Sequence, residues 1–334
     1  MAETLIHNCE RRLRVDSCPF SPMSSVAKIH GISQVAVMIL LGCSLAAAQV
    51  VRGASIRDSA VYIAPDTTST KMADLDRGRE VIVLETSREW LHVETNLTEE
   101  KTLSGWIQAK GVVTSATPNG DKILFGEAVN CEDQASERHG RHGAAQDAMR
   151  LYYHLADYFP NSPLAAEAMY RSADIRWQID KADVMSRPSA KERDPNLRQG
   201  MDERYMKEVM KKFPGTKWAD LAAFHLIENK LCGEWEGTTK CPEREAELYE
   251  KFASEHPQSS VTAEALYQAA WRMSVLIELY KSEEQTKKSD EARNKAIELA
   301  QKASELPQTD WAARAEKLLF MIQQGIPTYG NAQE

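Results

Sequence analysis

Four similar turns between residues 158 and 312 each lie between two stretches whose apolar residues recur at helical spacing. In every copy a proline is followed by Ser or Thr at the second position and by Ala at the eighth; the prolines are Pro160, Pro214, Pro257 and Pro307. A proline cannot continue the preceding helix, whereas Ser and Thr accept hydrogen bonds from the free N–H groups of the next one. Each copy therefore predicts a helix–turn–helix pair.

The repeated positions also predict how the helices pack. The hydroxyl residues are expected to cap the second helix of each pair, and the alanines to allow close approach of the two helices; they are Ser162, Thr216, Ser259 and Thr309, and Ala168, Ala222, Ala265 and Ala315. The predicted helices span residues 146–159 and 163–181, 201–213 and 218–231, 244–255 and 262–280, and 289–305 and 310–324. Since one pair cannot bury its apolar stripe alone, the pairs must stack into an array.

Residues 60–113 follow a different pattern, in which short β-rich runs alternate with turn residues. Tyr62 lies in the first run, Gly78 forms a tight turn before the second, and Trp90 and Trp106 lie in the last two. This pattern predicts about five short strands in a small barrel.

The order of Tyr62, Gly78, Trp90, Val93 and the run 105–107 (Gly-Trp-Ile) resembles the bacterial SH3-type domain, a small exported barrel. The resemblance implies that the domain binds cell-wall peptidoglycan or a peptide, or serves as a spacer. Tyr62, Trp90 and Trp106 are the candidates for a shallow aromatic groove, because aromatic faces give contact area at low entropy cost. The alternative, which we prefer for at least one of Trp90 and Trp106, is that the tryptophans pack in the core of the barrel.

The helix pairs resemble tetratricopeptide repeats, in the stretched form found in bacterial envelope proteins. Their prolines recur every 43 to 54 residues, compared with about 34 in the ideal repeat. The repeats are similar to those of the outer-membrane barrel-assembly lipoprotein and of the Tol–Pal-associated periplasmic coordinator, although the small β domain departs from both. The resemblance implies a scaffold that binds a protein partner on its helical surface.

Residues 35–48 are an apolar run of 14 residues, which is short for a membrane span of roughly 20 and suits the core of a signal peptide. Ala46, Ala47 and Ala48 provide a cleavage site, with Gln49 as the first mature residue, and the natural start is expected at Met23. Alternatively, the run Leu-Leu-Gly before Cys43 resembles a lipobox, so that Cys43 would be lipidated. Both interpretations predict export to the periplasm or cell envelope, the second with an anchor in the outer membrane.

Cys232 and Cys241 flank a short loop between two predicted helices. In an oxidising compartment they are expected to form a disulfide, which leaves Cys131 as the odd thiol of the mature chain. Cys131, His139 and His142 have poor spacing for a metal site, and a solvated loop is the preferred interpretation.

The net charge of −8 argues against sequence-independent binding to nucleic acid or to an anionic membrane. The sequence contains no phosphate-binding glycine loop, zinc-protease motif or nucleophile elbow. We therefore expect no enzymatic activity, no cofactor and no metal.

Together these patterns predict a multidomain chain: a signal segment (1–48), an SH3-like β-barrel (55–116), a connector (117–142) in which residues 123–138 could form a short helix, an all-α tetratricopeptide-like array (143–325) and a tail (326–334). The predicted function is a non-enzymatic envelope scaffold, in which the barrel binds cell wall or peptide and the array binds a protein. The alternatives are a lipid-anchored assembly or chaperone factor of the outer membrane, and an accessory subunit of a cell-wall hydrolase.

Overall fold

The computed structural model describes residues 50–98, 101–306 and 310–329. The expected cleavage and lipidation sites at Cys43 and Gln49, the start at Met23 and the cap at Thr309 lie outside the described residues. Within them, no helix is long and apolar enough to cross a membrane.

The described chain begins with an antiparallel sheet of seven strands in the order β3-β2-β6-β5-β4-β1-β7. The strands are β1 (Val51–Ser55), β2 (Ser59–Tyr62), β3 (Lys71–Leu75), β4 (Glu80–Ser87), β5 (Trp90–Asn96), β6 (Thr102–Gln108) and β7 (Val112–Thr114). No pairing between β3 and β7 joins the two edges within the described residues, so the sheet is open where a closed barrel was predicted.

Strand β1 is missing from the sequence-based prediction because Arg52, Gly53 and Ser55 give it no alternating apolar pattern. It nevertheless lies between β4 and β7, where Gly53 pairs with Thr114. A Cβ atom at Gly53 would lie 2.9 Å from Cγ1 of Val112, so the absence of a side chain allows β7 to pack closely here.

Nine α-helices follow the sheet in the described part of the chain, with two short 3₁₀ turns at Pro188–Lys191 and Glu228–Lys230. They are α1 (Gly120–Ser136), α2 (Ala144–Tyr158), α3 (Ala165–Met185), α4 (Arg204–Lys212), α5 (Lys217–His225), α6 (Lys240–Glu255), α7 (Thr262–Ser282), α8 (Thr286–Ser304) and α9 (Asp310–Gln324). The antiparallel sheet is thus followed by helix–turn–helix units, as expected from the four repeated turns.

The alanines of the repeated turn are confirmed as packing positions, because each has 0% exposure: Ala168, Ala222, Ala265 and Ala315. The predicted caps are only partly correct. Thr216 accepts a hydrogen bond from the N–H of Ala219 and caps α5, whereas Ser162 and Ser259 accept from the N–H two residues later. Their helices begin at Ala165 and Thr262, three residues after the hydroxyl residue, so these two hydroxyls stabilise the turn before the helix.

The predicted connector contains a full helix, α1, which packs against α2. Its buried residues Leu124, Ala128 and Cys131 lie on one face and join a core with Leu151 and Leu155 of α2. The helical region therefore begins at Gly120, before the predicted boundary at 143. The exposed Gly126 within α1 weakened the helical signal in the sequence.

The sheet and the first helices share part of their core. Ala54 of β1 and Val113 of β7 belong to the same buried cluster as Leu124 and Leu151. A second cluster, containing Val61, Val81 and Ile107, fills the sheet itself. The position of the sheet is therefore determined partly by α1 and α2.

Polar contacts between β4 and α2 complete this packing. Arg52 donates from Nε to Oε1 of Glu80 at 2.6 Å and pairs with Asp157 at 2.8 Å. The hydroxyl of Tyr158 donates to the same Glu80 oxygen at 3.0 Å. At the turn before β4, Arg150 donates to the carbonyl oxygen of Arg77 at 3.0 Å.

Gly78 provides a test of how closely this turn must approach α2. It has a φ of +73°, and an added Cβ would lie 3.0 Å from both the Asp147 carbonyl oxygen and Cβ of Arg150. We expect Gly78→Ala to lower the free energy of unfolding by about 1–3 kcal/mol, because the backbone is strained and the turn must move away. Urea denaturation measures this change.

Gly126→Ala is the matched control, because nothing lies within 4 Å of the position in α1. It should raise stability by about 0.5–1 kcal/mol, the usual gain from alanine in a helix. Equal effects of the two substitutions would contradict the close approach at Gly78.

Candidate functional site: one face of the sheet and the adjoining cleft

The predicted groove residues Tyr62, Trp90 and Trp106 lie on the face of the sheet opposite its core. Each is partly exposed, and none belongs to the core cluster of Val61, Leu91 and Ile107. The interpretation of the tryptophans as core residues therefore does not describe this sheet.

The aromatic rings form a row across three neighbouring strands. Tyr62 of β2 pairs with Trp106 of β6, which pairs in turn with His92 of β5. The ring centroids of Tyr62 and Trp90 are 5.7 Å apart, edge to face. His92 stacks on Trp106 at 4.9 Å, and its Nε2 is 3.1 Å from Oγ of Ser104. We call Tyr62, Trp90, His92 and Trp106 the aromatic row.

Strand β5 connects the aromatic row to a cleft. Alternate residues of a strand share one face, so Trp90, His92, Glu94 and Asn96 form a continuous line. Glu94 and Asn96 belong to one wall of a cleft of about 410 Å³, together with Glu80 and Ile82 of β4. The other wall comes from α2, α3 and α4, and includes Arg150, Tyr153, His154, Arg176 and Tyr205.

Arg176 is the basic group of the cleft that has no acidic partner. Its guanidinium carbon lies 4.2 Å from the ring centroid of Tyr205, and none of the ion pairs between described residues includes it. The positive charge of Arg176 helps to lower the pKa of Asp202, but the carboxylate of Asp202 is already hydrogen-bonded to Arg204. A guanidinium that lies over an aromatic ring can still donate from its N–H groups to a carboxylate or carbonyl oxygen.

The other two arginines of the cleft are already engaged. Arg150 bonds to Asp147 and to the carbonyl oxygen of Arg77. Arg79 pairs with Asp76 at 3.5 Å and donates to the carbonyl oxygen of Asn96 at 3.3 Å. Arg150 thus joins the helical wall to the turn before β4, and Arg79 bonds within the sheet. Arg176 is left to interact with a ligand.

His154 lies at the bottom of the cleft and is buried, with 8% of its surface exposed. Its ring stacks on Tyr158 with 5.2 Å between centroids, and Nδ1 has no hydrogen-bond partner among the described residues. Burial lowers the pKa of His154, although Glu80 and Asp157 oppose this effect. The imidazole is therefore neutral at pH 7. Among the described residues that line the cleft, its Nδ1 and Nε of Arg150 are buried side-chain nitrogens without a hydrogen-bond partner.

The predicted cysteine pair lies far along the chain from the cleft, where the structure has a Cys232–Cys241 disulfide. The carboxylate of Glu245 holds the loop onto the helices, because it accepts from the N–H of Cys232 at 2.8 Å and from Nε1 of Trp235 at 3.1 Å. Its other oxygen pairs with Arg272 of α7 at 2.7 Å, with both side chains buried. A buried carboxylate needs such a complete set of partners.

Cys131 is a buried free thiol in α1. Burial raises its pKa, so the protonated form is favoured and reactivity is low. His139 and His142 belong to the loop after α1, and no group of three metal-binding side chains occurs in the described residues.

The helical wall of the cleft could not be predicted from the sequence. Arg150, Tyr153, Arg176 and Tyr205 come from three helices and form no motif with fixed spacing. Their arrangement depends on the position of the sheet beside α2, which no local pattern specifies.

Comparisons with known proteins add little to this geometry. No family model and no curated protein matches the sequence. Among solved structures, the MamA RS-1 ArsTM double mutant is similar at 14% identity, with 63% of this chain and 98% of that chain covered and a TM-score of 0.28. A de novo designed helical repeat protein is 16% identical over 61% of this chain and 92% of its own, with a TM-score of 0.20. Scores this low decide neither fold nor activity.

The pKa of His154 leads to a prediction about stability. Below about pH 6.5 the unfolded chain binds a proton at this residue, whereas the folded chain does not until the pH reaches its lowered pKa. The free energy of unfolding should therefore fall as the pH decreases from 7.5 to 5.5. Urea denaturation at both pH values should show a smaller decrease for His154→Gln than for the unsubstituted chain.

His139→Gln is the control, because His139 is exposed in the loop after α1. It should retain the full pH dependence. An unchanged decrease in His154→Gln would mean that other groups cause the pH effect.

Proposed function

We propose that this protein is a non-enzymatic scaffold whose cleft binds an extended segment of a protein partner. The observation that carries the proposal is Arg176, which is stacked on Tyr205 in the cleft without a carboxylate partner in the described chain. The cleft volume of about 410 Å³ suits a few residues of a peptide.

The shape of the surface favours an extended ligand. From Trp90 to Asn96 the exposed line of β5 is about 20 Å long at roughly 3.3 Å per residue. A peptide along this line would place apolar or aromatic side chains against the aromatic row and a carboxylate beside Arg176. The neutral imidazole of His154 and the hydroxyl groups of Tyr153 and Tyr205 add hydrogen-bonding capacity at the same end. Binding would be by surface complementarity, with no bond made or broken.

The aromatic row supports a second candidate ligand, the glycan or peptide of the cell wall. Tyr62, Trp90 and Trp106 lie outside the core, and partly exposed aromatic faces stack well on sugar rings and on extended peptides. This proposal extends the resemblance to the SH3-type domain, and it treats the aromatic row as the attachment to the wall.

We place the protein outside the cytoplasm, in the periplasm or cell envelope. The apolar run at 35–48 and the Cys232–Cys241 disulfide support this location, because disulfides persist in oxidising compartments. Mass spectrometry of the mature N-terminus distinguishes the two proposed functions. An N-terminus at Gln49 favours a soluble scaffold, and an N-terminus at acylated Cys43 favours a lipid-anchored assembly factor. Hydrolase activity that co-purifies with the protein would favour an accessory subunit.

The cleft is tested by selecting phage-displayed peptides on the complete protein and measuring their affinity by calorimetry. We expect Arg176→Gln to weaken the selected peptides about tenfold or more, because a hydrogen-bonded charge pair is lost. Arg138→Gln, which removes an exposed arginine from the loop after α1, should leave the affinity unchanged. Selected peptides whose affinity does not depend on Arg176 would overturn the assignment of the cleft.

The aromatic row is tested by co-sedimentation of the complete protein with insoluble cell-wall sacculi. If the row binds the wall, the protein pellets, and Trp90→Ala and Trp106→Ala remain in the supernatant while near-ultraviolet circular dichroism shows that they fold. Trp311→Ala, which removes a partly exposed tryptophan from α9, should still pellet. Equal pelleting of all three variants would remove the aromatic row as the wall site.

A further inference from the structure

A second groove lies at the other end of the helical region, between α7 and α9. Its volume is about 770 Å³, which is enough for several side chains of a ligand. The groove is lined by Tyr267 and Trp271 of α7, by Trp311, Arg314, Lys317 and Met321 of α9, and by Ile326 after it. We call this the α7–α9 groove.

The floor of the groove is aromatic and held in place. Tyr267 and Trp311 are in contact, with 5.2 Å between their ring centroids. Nε1 of Trp271 donates to the carbonyl oxygen of Thr328 at 3.2 Å. Rings that are fixed in this way lose little entropy when a ligand covers them.

The rim of the groove exposes large apolar side chains. Phe320 of α9 is 58% exposed, and Ile326 is 40% exposed. Apolar side chains exposed beside a groove are typical of a surface that binds a partner.

Two cations stand beside this apolar surface. Arg314 and Lys317 are three positions apart on α9, so they point to the same side. The guanidinium of Arg314 lies 4.3 Å from the ring centroid of Trp311. Arg314 also lowers the pKa of Glu264, which burial raises, but neither cation forms a salt bridge with a described residue.

This arrangement differs from that of the neighbouring helices, where lysines are paired with carboxylates. Lys295 bonds to Glu250 at 2.5 Å, and Lys302 bonds to Glu298 at 2.7 Å. The chain as a whole carries a net charge of −8. Arg314 and Lys317 line the groove beside its aromatic floor and form no salt bridge with a described residue, so the groove wall is locally cationic on an acidic chain.

We infer that the α7–α9 groove binds an acidic amphipathic helix of a partner protein. Apolar side chains of that helix would lie on Trp271, Trp311 and Phe320, and carboxylates one turn apart would pair with Arg314 and Lys317. Aromatic residues, methionine and arginine, all present here, are enriched at the centres of protein interfaces. The inference rests on the scaffold function but concerns a site separate from the Arg176 cleft.

The test uses two synthetic helical peptides of 16 residues, labelled with a fluorophore, with leucine and phenylalanine along one face. One peptide carries glutamate beside that face, and the other carries lysine at the same positions. Fluorescence anisotropy with the complete protein should show that the glutamate peptide binds at least about tenfold more tightly, and that its affinity falls with added salt.

The combined substitution Arg314→Glu and Lys317→Glu should lower the affinity for the glutamate peptide about tenfold or more and raise the affinity for the lysine peptide. The control is Lys122→Glu with Lys211→Glu, which makes the same change of charge at two exposed lysines on α1 and α4. Thermal unfolding checks that both variants fold. Arg176→Gln should bind the glutamate peptide normally, so failure of the cleft and failure of the groove are distinguishable.

Three results would overturn the inference. The first is that the glutamate peptide does not bind. The second is that the groove double variant and the control double variant bind the glutamate peptide with the same affinity. The third is concentration-dependent dimerisation in analytical ultracentrifugation that Phe320→Ser abolishes, because a second copy of the chain would then cover the groove.

Discussion

The arrangement of the candidate site depends on the polar layer between Glu80 of β4 and the helix α2. One carboxylate oxygen of Glu80 accepts from Arg52 and from Tyr158, and Arg52 also pairs with Asp157. The hydrogen bond of Tyr158 is partly shielded from water, whereas the side chain of Arg52 is 44% exposed. The Tyr158 bond therefore contributes more than the ion pairs of Arg52, which solvent screens. Together with the shared core at Ala54 and Val113, this layer determines where β5 lies relative to α3 and α4, and hence the width of the cleft.

The cleft contains arginines that are hydrogen-bonded to the protein and one arginine that is available to a ligand. Arg79 and Arg150 satisfy backbone carbonyl groups of the sheet, whereas Arg176 lies over the ring of Tyr205 and forms no ion pair with a described residue. A rigid, preorganised cation needs little rearrangement on binding. The groove between α7 and α9 uses the same combination of an aromatic ring and an arginine, at Trp311 and Arg314, but on an apolar floor.

The local parts of the fold could be predicted from the sequence, and the long-range parts could not. The repeated proline turn located the helix pairs and the four buried alanines, because turn chemistry and helical period act within a few residues. The alternating pattern of β5 predicted a strand that contains Trp90, and the short spacing between Cys232 and Cys241 predicted their disulfide. The sequence also indicated a short helix at 123–138, close to the observed α1. The open sheet and the cleft wall at Arg176 depend on packing between distant segments, for which a single sequence contains no periodic signal.

Trp271 connects the ten-residue loop closed by the Cys232–Cys241 disulfide to the α7–α9 groove. Its ring lies 5.3 Å from Trp235 of the loop, by ring centroids, and it also forms part of the α7–α9 groove. Tyr329 covers the other side of Trp235 at 5.6 Å. The loop and the groove are therefore mechanically linked. A substitution that changes the tilt of Trp235 would shift the ring of Trp271, and with it one wall of the α7–α9 groove.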